Sequence, residues 1–264
     1  MPRGGRKTDK YRLLEKRGTG SYEKYTPWLK IHEFGSKGRA HRLIGWKVKR
    51  LYQFMSDLEL YYFLLSQWIE EVVDIREQFP LLPLEKTLLI ADELGYEHPD
   101  KRSGNKVVIT TDFLITIKDT NGIRNIARAI KMSSDCRKPR VIEKLSIEKK
   151  YWENSHIEWG IVTERQINKT KAINIYNIYN DYFWREHNSY SDERINQFIK
   201  IYKDIMTEKE YNVIQTCHEL ERLINWDKGE GLKFFKYLLA TKRVKTNMDI
   251  PFDFTKMRVY FYNE

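Results

Sequence analysis

The sequence predicts an α/β domain over residues 26 to 168, followed by a mostly helical domain over residues 169 to 264. Two observations predict the first domain. Runs of β-branched residues on either side of Asn121-Gly122 indicate a strand pair, and apolar residues at three- and four-residue spacing indicate helices around it. A third observation predicts the second domain, because the chain becomes helical and rich in aromatic residues after Asn168.

The helices of the first domain follow from spacing and from a start signal. In the segment SDLELYYFLLSQWIEEV, residues 56 to 72, apolar side chains recur at helical spacing, and Ser56 is a natural N-cap. The segment RVIEKLSIEKKYWE, residues 140 to 153, predicts an amphipathic helix on which Glu143 and Glu148 are assigned to the solvated face. The alternative for Glu148 is a position beside a functional site, where it would support the residues that act there.

The strands of the first domain are short apolar runs bounded by turn residues. Residues 72 to 79 predict one strand, which Pro80 ends, and IEWGIVTE predicts another. Between them, VVITTDFLITI and IRNIARAI predict a hairpin with a type I′ turn at Asn121-Gly122.

The second domain is predicted from a change in residue composition. Residues 170 to 226 indicate helices, and the remainder of the chain indicates one helix followed by two strands. A helical set that ends in the order helix, strand, strand resembles a winged-helix arrangement.

The positive charge of the chain is concentrated near its start. Residues 1 to 50 contain 15 Lys and Arg against 4 Asp and Glu, while the remaining 32 basic and 33 acidic residues nearly cancel. A basic segment of this kind indicates contact with a polyanion, namely nucleic acid; the alternative is a solubilising tail. Residues 1 to 25 are predicted to form a flexible arm, and Arg39, His41 and Arg42 to contact DNA phosphates.

Other functions and locations are not indicated. The chain lacks an apolar run long enough to span a membrane and an apolar segment that would form a secretory signal. Cys136 and Cys217 match no metal-ligand spacing and are expected to be free thiols in a reducing compartment, the cytoplasm. Neither a nucleotide fingerprint nor a zinc-binding spacing is present.

The predicted hairpin brings an acid and an amine together. A two-residue loop at Asn121-Gly122 places Asp112 opposite Lys131, whereas a four-residue loop places Asp112 opposite Ala129. In both cases the side chains of Asp112 and Lys131 lie on the same face of the sheet. Such a carboxylate can bind Mg²⁺ during phosphodiester hydrolysis, and the lysine can stabilise the transition state. The alternative is a cross-strand salt bridge without catalytic use.

A magnesium site needs a second carboxylate, and Glu59 on the preceding helix is the best candidate. The alternative for Glu59 is structural, because Ser56-Asp57-Leu58-Glu59 matches a capping box in which the glutamate returns to the Ser56 N–H.

Several segments of the chain occur in the same order as in the TnsA family, the endonuclease subunits of heteromeric transposases, and the chain resembles that family. The resemblance covers residues 18 to about 168 closely and the last third of the chain more loosely. It rests on the following segments: YTPWLKIHEFGSKGRAHRL, SDLELYYFLLSQW, DIREQFPLLP, TTDFLI, the strand that ends at Lys131, IEKLSIEKKYW and IEWGIVTE.

The resemblance implies a type II restriction-endonuclease-like fold for the N-terminal domain and a winged-helix-like C-terminal domain. It implies that Glu59, Asp112 and Lys131 are catalytic, and that Mg²⁺, for which Mn²⁺ would substitute, is bound by Glu59, Asp112 and the backbone carbonyl of Ile130. The position two residues before the lysine usually holds Glu or Gln in the family pattern, but here it is Ala129.

The implied activity is nicking of DNA at the 5′ ends of a transposon, together with a TnsB-like integrase and a TnsC-like ATPase that contacts the C-terminal region. The alternative is a DNA-binding adaptor that recruits the ATPase and has a weak or inactive site, as the substitution at Ala129 suggests.

Overall fold

The computed structural model describes residues 8 to 33, 39 to 100 and 106 to 261. The chain divides into two compact units, residues 1 to 167 and residues 168 to 264. In the part of the chain that is described, no helix is long and apolar enough to cross a membrane.

The first unit is built on a four-stranded sheet in the order β3-β4-β5-β6, in which β5 and β6 are parallel and the other neighbours antiparallel. A separate antiparallel hairpin is formed by β1 and β2. Its helices and strands are α1 (Asp9–Leu14), β1 (His41–Ile44), β2 (Leu51–Phe54), α2 (Asp57–Trp68), β3 (Val72–Pro80), α3 (Leu84–Glu93), β4 (Thr110–Asp119), β5 (Gly122–Ile130), α4 (Pro139–Asn154) and β6 (Glu158–Val162).

Apolar side chains from neighbouring positions of the sheet enter two different clusters. Leu114 belongs to a buried cluster with side chains of α3 and α4, among them Ile90 and Ile147. Phe113 instead contacts Tyr62 of α2, with ring centroids 5.5 Å apart. The alternation of side chains along a strand therefore allows one sheet to hold helices on both sides.

The β4–β5 turn differs from the predicted one. Asp119 pairs with Gly122, so Thr120 and Asn121 form the two-residue loop, rather than Asn121 and Gly122. Asp119 Oδ1 accepts a hydrogen bond of 2.8 Å from the Asn121 N–H, and Gly122 has φ of +110°. The side-chain bond of Asp119 and the freedom of glycine at positive φ favour this turn. The pairing is that of the alternative register, and Asp112 does not lie opposite Lys131.

A buried ionic cluster holds the segment that precedes the β1–β2 hairpin, residues 12 to 33. Glu33 accepts hydrogen bonds from Arg17 Nη2 at 2.6 Å and Arg12 Nη2 at 3.1 Å, and Arg17 Nη1 also bonds the Trp28 carbonyl at 3.0 Å. Residues 8 to 25, which were assigned to the flexible arm, therefore pack as part of the unit. The prediction of an arm is left with residues 1 to 7, which lie outside the described residues.

The second unit is mostly helical, in agreement with the sequence. Its regular elements are α5 (Lys169–Ile178), α6 (Trp184–His187), α7 (Asp192–Glu208), α8 (Val213–Ile224), α9 (Glu230–Ala240), β7 (Val244–Lys245) and β8 (Tyr260–Phe261). The two short strands pair antiparallel after the last helix. This order is the predicted one, and the winged-helix arrangement itself stays a prediction.

Candidate active site

Asp112 and Lys131 meet in a direct ion pair. Lys131 Nζ lies 2.7 Å from Asp112 Oδ2, and the two side chains are 32% and 13% exposed. Burial lowers the pKa of Lys131, but the charge and hydrogen bond of Asp112 more than offset burial, so that the pKa lies above its usual value. Lys131 is therefore cationic at neutral pH, and its ammonium group faces the partly exposed carboxylate of Asp112.

The end of the β4–β5 ladder explains how this pair forms. Regular pairing stops at Phe113 and Arg128, and beyond this point the Ile130 N–H bonds Asp112 Oδ2 at 2.6 Å instead of a backbone oxygen. Lys131 Nζ also donates to the Ile130 carbonyl at 3.0 Å. The Asp112 carboxylate, the Lys131 amine and the Ile130 carbonyl therefore lie together beyond the last paired residues of β4 and β5. They do so although the register differs from the predicted one.

Glu59 lies in the first turn of α2 and is almost completely buried. Its Oε2 accepts from the Met55 N–H and its Oε1 from Ser56 Oγ, both at 3.0 Å, while Ser56 Oγ accepts from the Glu59 N–H. The capping interaction is therefore present, but the backbone donor is Met55 rather than the predicted Ser56.

Glu59 and Asp112 interact electrostatically. Burial, and then the charge of Asp112, raise the pKa of Glu59 to about 7, although its hydrogen bonds and the charge of Lys131 act in the opposite direction. A carboxylate with such a pKa is one whose negative charge is poorly compensated, which is a condition that a bound divalent cation would relieve.

Glu148 of α4 belongs to the same electrostatic group, and its assignment to a solvated helix face is wrong. The side chain is buried, and its Oε1 accepts hydrogen bonds from Thr111 Oγ1 and, at 2.9 Å, from Trp159 Nε1. Burial and the charge of Asp112 raise the pKa of Glu148 to about 7, and Lys131 lowers it. Sequence reasoning could have found Glu148, because it continues the apolar stripe of Leu145 and Trp152 at helical spacing.

The three predicted DNA contacts do not all have the same surroundings. Arg39 and Arg42 are exposed. His41 lies on the other face of β1 from Arg42, and its Nε2 is 2.5 Å from Asp57 Oδ1. The alternation of the strand therefore turns Arg42 outward and ties His41 to the start of α2.

The donor set fits a magnesium ion of partly aqueous coordination. Glu59, Asp112 and the Ile130 carbonyl offer only oxygen, and Mg²⁺ in proteins keeps several waters while binding one or two carboxylates. The methyl side chain of Ala129, which is fully buried, carries no ligand atom. Within the described ranges, no group of three or more His, Cys, Asp or Glu side chains is placed to hold a metal ion.

Comparisons with known proteins match both units of the chain to one family. Residues 70–164 match the family model described as TnsA-like endonuclease N terminal, and residues 166–248 match TnsA endonuclease C terminal. The transposition protein TnsA of transposon Tn7 from Escherichia coli is 34% identical over 237 residues, which cover 90% of this chain and 84% of the relative. A mixed α/β unit with a central sheet also fits the restriction-endonuclease-like fold that the resemblance implies.

Proposed function

Because the chain belongs to the TnsA endonuclease family, we propose that it is a Mg²⁺-dependent DNA endonuclease of a cut-and-paste transposon. The observation that carries the proposal is the ion pair of Asp112 and Lys131 beside the Ile130 carbonyl, with Glu59 coupled to it by charge.

Glu59, Asp112 and the Ile130 carbonyl would hold the cation, and Mn²⁺ would substitute for Mg²⁺. When bound, the ion supplies charge neutralisation at the phosphate and a more acidic water. Lys131 donates a hydrogen bond and positive charge to the oxygen on which negative charge develops. The products are a 5′-phosphate and a 3′-hydroxyl. The buried carboxylate of Glu148 contributes to the electrostatics of the site, because it interacts by charge with both Asp112 and Lys131.

The DNA would lie along the basic surface near the start of the chain. Arg39 and Arg42, which are exposed, would contact phosphates, and His41 would contribute through its bond to Asp57 or after release from it. Phosphate contacts orient a duplex without reading its sequence, so the choice of the 5′ cleavage site would come from a TnsB-like integrase. The second unit, predicted to be winged-helix-like, would bind a TnsC-like ATPase.

The test is a Mg²⁺-dependent nicking assay on transposon-end DNA, with and without the integrase and the ATPase. We expect 5′-end nicks with the full set of proteins, and we expect Asp112→Ala and Lys131→Ala to reduce the rate of nicking by about 10² or more. Nicks that persist at the normal rate in both variants would refute the assignment of the site.

The second candidate is a DNA-binding adaptor without cleavage activity, which the fully buried methyl group of Ala129 favours. A Mn²⁺ titration separates the two functions. Equal affinity of the unmodified chain and of Asp112→Ala would support the adaptor, whereas a loss of affinity in the variant would support the nuclease.

A further inference from the structure

The β1–β2 hairpin presents an outward face that the candidate active site does not use. The register pairs Arg42 with Gln53 and Ile44 with Leu51, so that these four side chains point to one side. Gln53 is half-buried and its Oε1 accepts a hydrogen bond from the Ile31 N–H at 3.1 Å, so the exposed part of this side consists of Arg42, Ile44 and Leu51. We call this side the hairpin face. Ile44 and Leu51 are 42% and 48% exposed, which leaves an apolar cross-strand pair in contact with solvent.

The charged side chains of the hairpin segment itself have one sign, although Asp57 at the start of α2 pairs with His41 on the other face. Residues 39 to 54 contain five Lys and Arg and neither Asp nor Glu. Arg50 is buried in an ion pair with Glu77, but Arg39, Arg42 and Lys49 are exposed. An exposed apolar pair bordered by basic side chains matches a ligand that has apolar groups between two rows of negative charge.

The hairpin is fixed to the helix that carries Glu59, at both ends. At one end, the Met55 N–H that follows β2 bonds the Glu59 carboxylate, and His41 bonds Asp57. At the other end, Gln67 Oε1 accepts from the Trp46 N–H at 2.7 Å and from the Lys47 N–H at 3.1 Å.

The inner face and the turn of the hairpin are closely packed. Tyr52 and Phe54 both lie 4.6 Å from the Phe63 ring, measured between centroids. The turn has room only for glycine at position 45, because a Cβ there would lie 2.4 Å from the Tyr52 ring and 2.5 Å from the Val48 carbonyl oxygen. The hairpin is therefore a rigid ribbon whose base lies at the candidate active site.

We propose that the hairpin face lies in the major groove of duplex DNA, next to the phosphate that is cleaved. The choice of DNA as the ligand in this inference rests on the proposed function. A two-stranded ribbon about 5 Å between strand axes fits a major groove about 12 Å wide, whereas the minor groove is only about 6 Å wide. Ile44 and Leu51 contact thymine methyl groups, and Arg42 contacts guanine or the adjoining phosphate.

The experiment measures binding of the full chain to a mixed-sequence duplex of about 30 base pairs by fluorescence anisotropy, with Ca²⁺ in place of Mg²⁺. The variants are Arg42→Ala and the double variant Ile44→Ser/Leu51→Ser. The matched controls are Arg124→Ala, at the β4–β5 turn, and Leu89→Ser, whose side chain is 71% exposed on α3. Circular dichroism melting confirms that each variant is folded.

We expect the double variant to bind about tenfold more weakly, and Arg42→Ala to lose about tenfold and to reduce the salt slope by about 1. The controls should stay within about twofold of the unmodified chain, because they lie on other elements. Methyl green, which occupies the major groove, should compete with the protein, and netropsin, which occupies the minor groove, should not.

Three results would overturn the proposal. The first is unchanged DNA binding in both hairpin variants, and the second is competition by netropsin rather than by methyl green. The third is loss of a self-associated form of the variants in sedimentation that accounts for any weaker DNA binding, which would assign the face to a second copy of the chain. If the variants weaken binding while the unmodified chain never nicks DNA, the inference stands and the proposed cleavage activity fails.

Discussion

Asp112 and Lys131 hold each other in place, but the proposed reaction uses them differently. Asp112 binds the cation, while Lys131 acts on the phosphate. Asp112→Asn should therefore weaken Ca²⁺ binding at least about tenfold, because one anionic ligand is lost. Lys131→Ala should keep Ca²⁺ affinity within a fewfold and lower the rate of nicking by about 10² to 10³.

Calorimetric titration with Ca²⁺ measures the first quantity, and the nicking assay measures the second. Lys149→Ala is the matched control, since Lys149 is an exposed lysine of α4 that pairs with Glu153. Unchanged Ca²⁺ affinity in Asp112→Asn would contradict the assignment of Asp112 as a ligand.

Glu148 is expected to make the stability of the protein depend on pH. Its pKa is about 7 in the folded protein and 4.5 ordinarily, so between these values the folded state binds more protons than the unfolded state. Raising the pH from about 4.5 to 7 therefore costs stability through this group, on the order of a few kcal/mol. Glu148→Gln should make the loss of stability over this range smaller.

Urea unfolding at several pH values between 4.5 and 8 measures this difference. Glu143→Gln is the control, because Glu143 lies on α4 in an ion pair with Arg140 and is not buried. Identical pH profiles for Glu148→Gln and the unmodified chain would show that the carboxylate is not buried in an anionic surrounding.

The sequence predicted that Asp112 and Lys131 come together, but not the register that brings them there. The hairpin pattern was the signal for this pair, and their catalytic role stays a prediction. The spacing of Glu148 from Leu145 and Trp152 indicates the buried side of α4, but helical spacing does not tell which charges a side chain meets there.

Among the elements, α2 links stability to the site through its first turn. Ser56 caps the helix and also donates a hydrogen bond to Glu59. Ser56→Ala should therefore lower the free energy of unfolding by about 1 kcal/mol and also weaken Ca²⁺ binding, since Glu59 loses a donor that holds its side chain.

Ser191→Ala is the matched control, because Ser191 caps α7 in the second unit. It should cost a similar free energy of unfolding and leave Ca²⁺ binding unchanged. Equal effects of the two substitutions on Ca²⁺ affinity would mean that the Ser56 cap does not position Glu59.

The elements with clear local signals were predicted, and those without them were missed. The helix expected from Ser56 begins at Asp57, and the strand expected to end at Pro80 does so. By contrast, α3 follows Pro83 without a side-chain cap, and β1 and β2 are only four residues each. Such short strands are defined by what they pack against, here Phe63, which a local pattern does not reveal.

For the whole molecule, the division into two units predicts that damage to one core spares the other. Phe63 and Phe198 are both buried, one in each unit. Each substitution to Ala should destabilise its own unit by about 3 to 5 kcal/mol. Phe198→Ala should leave Ca²⁺ binding intact at low temperature, whereas Phe63→Ala should weaken it, because Phe63 supports β2 and α2.

Urea unfolding followed by circular dichroism, together with Ca²⁺ titration at low temperature, measures both effects. Loss of Ca²⁺ binding in Phe198→Ala would show that the candidate site depends on the second unit.

The overall α/β character and the change to a helical unit followed from composition and spacing, because these properties are summed over many residues. The flexible arm was assigned too far into the chain. Its positive charge suggested exposure, but Arg12 and Arg17 are buried against Glu33. Ion pairs between residues this far apart in sequence cannot be recognised from a local sequence pattern.

The hydrogen bond from Trp159 to Glu148 couples an indole ring to a group that titrates near neutrality. Indole emission responds to the charge next to its ring nitrogen. We therefore expect the fluorescence lost on Trp159→Phe to report protonation of Glu148 in the unmodified chain, as a change in emission near pH 7 that needs no attached dye.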